Sequence, residues 1–219
     1  MTRSHSLLAA FALALSLFGA ACTHDPQPLS AANHGTDQKP SSGTVSFSKK
    51  DDVAVVRAKL AEHRKEQLER LEAYSNAGIF PRNYASKEPL HMLKDDDGRY
   101  CAVANLVHLD GYDDALDAEA ETHNDLQFAD VRDGALYDWI LTSGLTQEEV
   151  AKIQAPAPQI VKPSKPEMKP QGPSEDDVKV QLQAHFEKVE KEILANTDQS
   201  LDVAVARLEA NPEAMTATR

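Results

Sequence analysis

A run of prolines late in the chain restricts the fold more than any other feature. Six of the 12 prolines of this 219-residue sequence lie within 18 residues, at Pro156, Pro158, Pro163, Pro166, Pro170 and Pro173. Proline fixes φ and lacks an N–H donor, so neither a helix nor a central strand continues through such a segment. We therefore predict an extended, semi-rigid linker over 155–173 that spans up to ~56 Å at ~3.1 Å per residue. This linker would separate a globular block, 51–154, from a C-terminal part, 174–212.

The block 51–154 begins with the hydrophobic periodicity of a helix. Its apolar residues recur at a spacing close to 3.6, which predicts one long amphipathic helix. These residues are Val53, Val56, Leu60, Leu68, Leu71 and Tyr74. Ser48 and Asp51 have the spacing of a capping box before this helix, and Gly78 is a natural stop after it.

Shorter helices are predicted in the rest of this block. The apolar run Cys101–Leu109 lacks the alternation of a half-buried strand and is rich in Ala and Leu, which favours a buried helix. Further helices are predicted over 113–123, 134–143 and 147–154. Thr146 and Glu149 have the spacing of a capping box for the last of them. The fold class is therefore predicted to be all-α.

The C-terminal part carries a narrow apolar stripe on two predicted helices. Ser174 and Asp177 cap the first helix, and Pro212 limits the second. The stripe consists of Val178, Leu182, Phe186, Val189 and Ile193 on the first helix and Leu201, Val205 and Leu208 on the second. A helical hairpin over 174–212 cannot shield this stripe from water alone. The helices must fold back on the main block, pair with each other or meet a partner.

The N-terminus has the order of a secretory signal: a positive charge, an apolar run and small residues. The 12-residue run Leu7–Phe18 reaches ~18 Å as a helix, short of a ~30 Å hydrocarbon core, so it is not a permanent span. We predict a signal peptide over 1–21 and a disordered tether over 22–50, since that stretch has little to bury. The protein would then be exported.

The residues Gly19-Ala20-Ala21-Cys22 resemble the lipobox of bacterial lipoproteins. The resemblance implies that Cys22 is acylated, becomes the new N-terminus and anchors the protein in a membrane. Thr23, in place of the Asp of inner-membrane lipoproteins, implies the outer membrane. The alternative is ordinary cleavage after Ala21, which would leave a secreted or periplasmic soluble protein.

Charge is concentrated in one segment of the chain. The formal net charge is −12, which argues against nucleic acid as a partner, because phosphate backbones bind clustered Lys and Arg. Between Asp95 and Asp138 lie 13 acidic and two basic residues. This segment is either a solvated acidic surface, a divalent-cation site or a surface for a basic partner. Asp95-Asp96-Asp97-Gly98 lacks the earlier acidic ligand of an EF-hand, since position 93 is leucine.

Few residues suggest chemistry. Glu119 and His123 are four apart on a predicted helix and could share a face, but an exposed ion pair explains them equally well. Cys101 and His108 are seven apart, ~10 Å along a helix, beyond the ~3 Å reach of a nucleophile and its base. The sequence contains no nucleophile elbow, phosphate loop or dinucleotide fingerprint. We predict no catalytic, metal or cofactor-binding residues and no cofactor, with lipidation at Cys22.

Three short motifs resemble a region of exported bacterial proteins that have no assigned activity. They are Phe80-Pro81-Arg82-Asn83, Gly98-x-x-Cys101-Ala102-Val103-Ala104, and Ser143-Gly144-Leu145-Thr146 followed by Glu149 and Ile153-Gln154. The resemblance implies a small helical module and no catalytic residue. The expected function is that of an envelope lipoprotein that binds another envelope component. The alternative is an envelope enzyme or cation-binding protein that uses Cys101 with a histidine, or the acidic segment 95–138.

Overall fold

The computed structural model describes residues 52–161 and 172–215, and in these two ranges it contains helices and no strand. The α-helices are α1 (Val53–Ala77), α2 (Ala102–Leu109), α3 (Asp113–Thr122), α4 (Gly134–Thr142), α5 (Gln147–Ile153), α6 (Glu175–Ala195) and α7 (Thr197–Ala210). A short 3-10 helix, Phe128–Asp130, precedes α4. The predicted all-α fold class is confirmed. The predicted signal peptide, Cys22, the tether and the Ser48–Asp51 cap lie outside the described residues.

Helix α1 is the longest helix, and α2, α6 and α7 pack on it. Asp52 is its N-cap, and the Asp52 side chain accepts a hydrogen bond from the N–H of Ala54. Gly78 ends the helix with φ +63°, a left-handed conformation that glycine adopts without strain. The predicted apolar positions are buried except Val53, which is 50% exposed. Val53 is the first residue of the helix, and it belongs to neither of the two apolar clusters of the described residues.

The two C-terminal helices share the core of the main block. All five stripe residues of α6 are buried, and the Phe186 ring lies 5.7 Å from Tyr74 and 5.6 Å from Phe80, measured between ring centroids. Helix α7 packs on the N-terminal half of α1 and on the end of α4. Of the three possibilities left open by the sequence, the C-terminal helices therefore fold back on the main block.

The two described ends of the proline-rich segment lie side by side. The N–H of Val161 donates to the carbonyl of Pro173 at 3.2 Å. Before it, the N–H groups of Ala157 and Ile160 donate to the carbonyls of Leu90 and Asn83, and both residues are buried. The sequence predicts a spacer between two separate parts, whereas the structure holds its ends together. The apolar stripe of α6 accounts for the difference, because burying it requires α1.

This packing predicts the outcome of a cut inside the proline-rich segment. With a specific protease site inserted at 166, the cleaved full-length protein is expected to run on gel filtration as one species with the helical circular dichroism of the uncut protein. After separation in denaturant, the N-terminal piece alone is expected to refold poorly, since the face of α1 that contacts α6 and α7 is then open to water. Release of a folded 51–154 piece, the outcome expected from the sequence, would show that α6 and α7 are dispensable.

Candidate functional site

The acidic segment divides into carboxylates with partners and carboxylates that face solvent. Six acids contact basic side chains: Asp95 and Asp97 with Arg99, Asp110 with Arg70, Asp113 with His108, Asp117 with Lys94, and Glu119 with His123. The thirteenth, Asp138, is half-buried. Six others are exposed, and we call them the acidic surface: Asp96, Asp114, Glu121, Asp125, Asp130 and Asp133. The described residues provide no ion-pair partner for these six. They are the charges available to another molecule.

Asp95 organises a tight turn rather than a cation site. Its carboxylate accepts hydrogen bonds from the backbone N–H groups of Arg82, Asp97 and Arg99 at 2.8–3.0 Å, and from the Arg99 guanidinium at 3.1 Å. The side chain is 5% exposed. Gly98, with φ +79°, lets the chain reverse at this point. The oxygens that an EF-hand would offer to calcium are occupied here by N–H donors.

Asp110 joins three helices. It lies just after α2 and accepts hydrogen bonds from Gln67 and from the Trp139 indole, at 2.8 and 2.7 Å, and from Arg70. Gln67 and Arg70 belong to α1, and Trp139 belongs to α4. Part of the acidic segment is therefore structural, which its composition alone does not reveal.

The histidines of the segment form pairs, not clusters. His123 Nδ1 lies 3.4 Å from Glu119, and both side chains are exposed, which agrees with the ion-pair interpretation. His108 is hydrogen-bonded to Asp113, and its ring lies 5.2 Å from Tyr100. Within 52–161 and 172–215, no three His, Cys, Asp or Glu side chains are grouped so that they could hold a metal ion.

A solvated acidic surface responds to salt through screening. At about 4 Å, two like charges in water repel by ~1 kcal/mol, and added ions weaken this repulsion. We expect NaCl and CaCl2 at matched ionic strength to raise the melting temperature by nearly the same amount. A calcium-specific rise of several degrees that is lost in a variant with Ala at 95–97, 119 and 123 would reveal a cation site, because a ligand that binds the folded state stabilises it.

Cys101 is placed for structure and not for nucleophilic attack. Its side chain caps α2, where Sγ accepts a hydrogen bond from the N–H of Ala104 at 3.4 Å. The residue is 5% exposed, and burial raises the pKa of the thiol to about 11. His108, the candidate base, is engaged with Asp113. A buried, protonated thiol is a poor nucleophile, so the geometry gives the enzyme alternative no support.

The buried pair of Arg64 and Glu149 makes many hydrogen bonds, and the sequence predicts only part of this arrangement. Arg64 of α1, 2% exposed, donates to both carboxylate oxygens of Glu149 at 2.8 and 2.7 Å. Arg64 also donates to the carbonyls of Gly144 and Ile193, and Glu149 accepts from Ser200 at 2.7 Å. The predicted Thr146–Glu149 capping box is present. The pairing of Glu149 with α1 has a single indication in the sequence, which is that Arg64 lies on the apolar face of the predicted helix.

Hydrogen bonds overcome the cost of burying this carboxylate. Burial alone would raise the pKa of Glu149, but bonds from Arg64, the Thr146 N–H and Ser200 hold the pKa below its ordinary value of 4.5. A lowered pKa in the folded state means that the pair stabilises the fold above pH 4.5. This stabilisation is lost as the pH falls through the folded-state pKa.

A cleft of about 450 Å³ lies where α5, the end of α6 and the start of α7 meet. The carboxylates and the lysine that line it are ion-paired. Lys152 Nζ lies 3.4 Å from Glu148 and 3.8 Å from Glu192, and Arg207 donates to Gln147 at 2.7 Å. Among the described residues, Arg207 has hydrogen bonds to neutral groups and no ion pair, and one such cation does not define a class of ligand.

Comparisons with known proteins give no match: no family model, no curated protein and no solved structure is similar to this chain. The resemblance of the region from Phe80 to Gln154 to exported bacterial proteins therefore stays a prediction.

Proposed function

We propose that this protein is a non-catalytic lipoprotein of the bacterial cell envelope, anchored in the outer membrane through an acylated Cys22, and that its acidic surface binds a basic region of another envelope component. The observation that carries the proposal is the set of six exposed carboxylates without a partner. An uncompensated charge of one sign attracts partners of the opposite sign and speeds their association. The anchor is supported by the lipobox-like sequence that precedes Cys22.

The remaining features of the fold favour binding over catalysis. Cys101 is buried, and Asp95 and Asp110 are saturated with hydrogen-bond donors. Among the described helices, none is long and apolar enough to cross a membrane. The proposed membrane attachment is through the acyl group on Cys22, in which each buried methylene contributes ~0.8 kcal/mol.

Site-specific photo-crosslinking in the native envelope tests the binding proposal. A photoreactive residue is placed at Asp114 or Asp130 in the acidic surface, and at Lys188, an exposed position on α6, as the control. We expect a discrete adduct from the two acidic positions and not from Lys188, and we expect high salt to abolish it. Identical adducts from all three positions, or no adduct from the acidic ones, would contradict the proposal.

A further inference from the structure

One cleft combines part of the acidic surface with apolar side chains. It has a volume of about 390 Å³, within the ~300–1,000 Å³ typical of ligand sites, and lies between the 82–96 segment and Asn124–Asp125. Leu90 and Met92, both half-buried, form its apolar part together with Tyr84. Asp96 and Asp125 also line it, and both are exposed.

The positive charges in the wall of this cleft are already neutralised. Arg82 donates to Glu175 at 2.8 Å and lies 3.5 Å from Asp97. Lys94 contacts Asp117 at 3.1 Å, and its ammonium group lies over the Tyr100 ring. The third acid of the wall, Asp95, is saturated by the N–H donors described above.

The unpaired charge of the cleft is therefore negative. Among the described residues, the carboxylates of Asp96 and Asp125 have no ion-pair or hydrogen-bond partner, while every lysine and arginine that lines the cleft has one. Apolar, low-dielectric walls focus the field of such carboxylates into a cleft. A ligand that fits must carry a positive group at one end and apolar surface next to it.

We propose that this cleft is the docking point for a lysine- or arginine-containing extended segment of the partner protein. The aliphatic stem of the basic side chain would lie on Leu90, Met92 and the Tyr84 ring, and its charged end would reach Asp96 and Asp125. Long basic side chains bury their stems on apolar surface and keep the charge at the rim in this way. This inference rests on the proposed function and assigns it a place on the molecule.

Two variants with equal changes of charge distinguish binding of a basic segment in this cleft from its general attraction to the acidic surface. D96N/D125N removes the two cleft carboxylates, and D130N/D133N removes two carboxylates of the acidic surface that do not line the cleft. All four side chains are exposed, so we expect both variants to retain the melting temperature of the parent. The probe is a fluorescent ten-residue peptide of alternating lysine and alanine, measured by anisotropy against the full-length protein in detergent.

We expect D96N/D125N to weaken peptide binding on the order of tenfold and D130N/D133N less than ~3-fold, since contact charges act more strongly than screened distant ones. Equal losses in the two variants would overturn the cleft assignment and leave the acidic surface as the binding region. Failure of the peptide to bind the parent protein would also overturn it, whereas the proposed function is decided separately by crosslinking.

Spermidine is the second probe: binding as tight as that of the peptide would overturn the assignment to a protein segment.

Discussion

Replacing Arg64 with methionine is expected to lower the free energy of unfolding by about 3–5 kcal/mol. The substitution keeps an apolar stem in the core but leaves the Glu149 carboxylate buried without its main partner. The carbonyls of Gly144 and Ile193 also lose a donor. Because these groups lie on α1, the α4–α5 turn and α6, the loss loosens several contacts at once. Urea denaturation followed by circular dichroism measures the effect.

Lys65 provides the matched control for Arg64. It is the next residue of α1, is exposed, and makes a surface pair with Glu69 at 3.4 Å. Lys65→Met removes the same charge and is expected to change the unfolding free energy by less than about 1 kcal/mol. The double variant R64M/E149M should be less destabilised than the sum of the two single variants, since no unpaired charge stays buried. Equal, small effects of R64M and K65M would show that the Arg64–Glu149 pair does not hold the helices together.

Gly144→Ala is the second substitution with a large expected effect. Gly144 has φ +77°, and a Cβ atom built on it would lie 2.1 Å from the carbonyl oxygen of Leu60 and 2.7 Å from the N–H nitrogen of Arg64. Both atoms belong to the backbone of α1, so they cannot move aside as a flexible side chain could. The left-handed conformation costs ~1–2 kcal/mol, and overpacking adds ~1–3 kcal/mol or more. We expect a total loss of about 2–5 kcal/mol.

Gly134 isolates the contribution of packing. It has the same φ of +77° as Gly144, but a Cβ there would meet nothing within 4 Å. Gly134→Ala therefore carries the conformational cost alone, ~1–2 kcal/mol. Comparing the two variants by thermal and urea unfolding measures how tightly the α4–α5 turn is pressed onto α1. Equal destabilisation of both variants would mean that this contact is absent in solution.

Local patterns in the sequence predict the helices well. The capping pairs Thr146–Glu149 and Ser174–Asp177 and the stop at Gly78 are all present, because they depend on groups within a few residues of each other. The relation between helices is predicted less well. Proline content indicates where a helix is interrupted, but it does not reveal that Val161 and Pro173 are hydrogen-bonded neighbours. That contact results from burying the α6 stripe against α1, a tertiary effect without a local signal.

The candidate site shows the same division. Composition identifies the acidic segment, and spacing identifies the Glu119–His123 pair. The sequence does not distinguish the structural carboxylates of Asp95 and Asp110 from the exposed ones. The donors to Asp110 include Gln67 and Trp139, and Asp95 accepts from the N–H of Arg82, all far from them along the chain. The sequence also shows that Cys101 lies at the start of an apolar run. It does not show that the thiol is buried or that it caps α2. Side-chain partners across the fold determine which acids remain free for a ligand.

We propose that a lipid anchor holds this acidic domain at a bacterial membrane. Intact-mass spectrometry of the protein extracted from the membrane fraction tests for this anchor. We expect a mature chain that begins at Cys22 and carries acyl groups, and we expect a Cys22→Ser variant to move to the soluble fraction. An unmodified chain that begins at Cys22 and is soluble, or a chain that keeps residues 1–21, would contradict it.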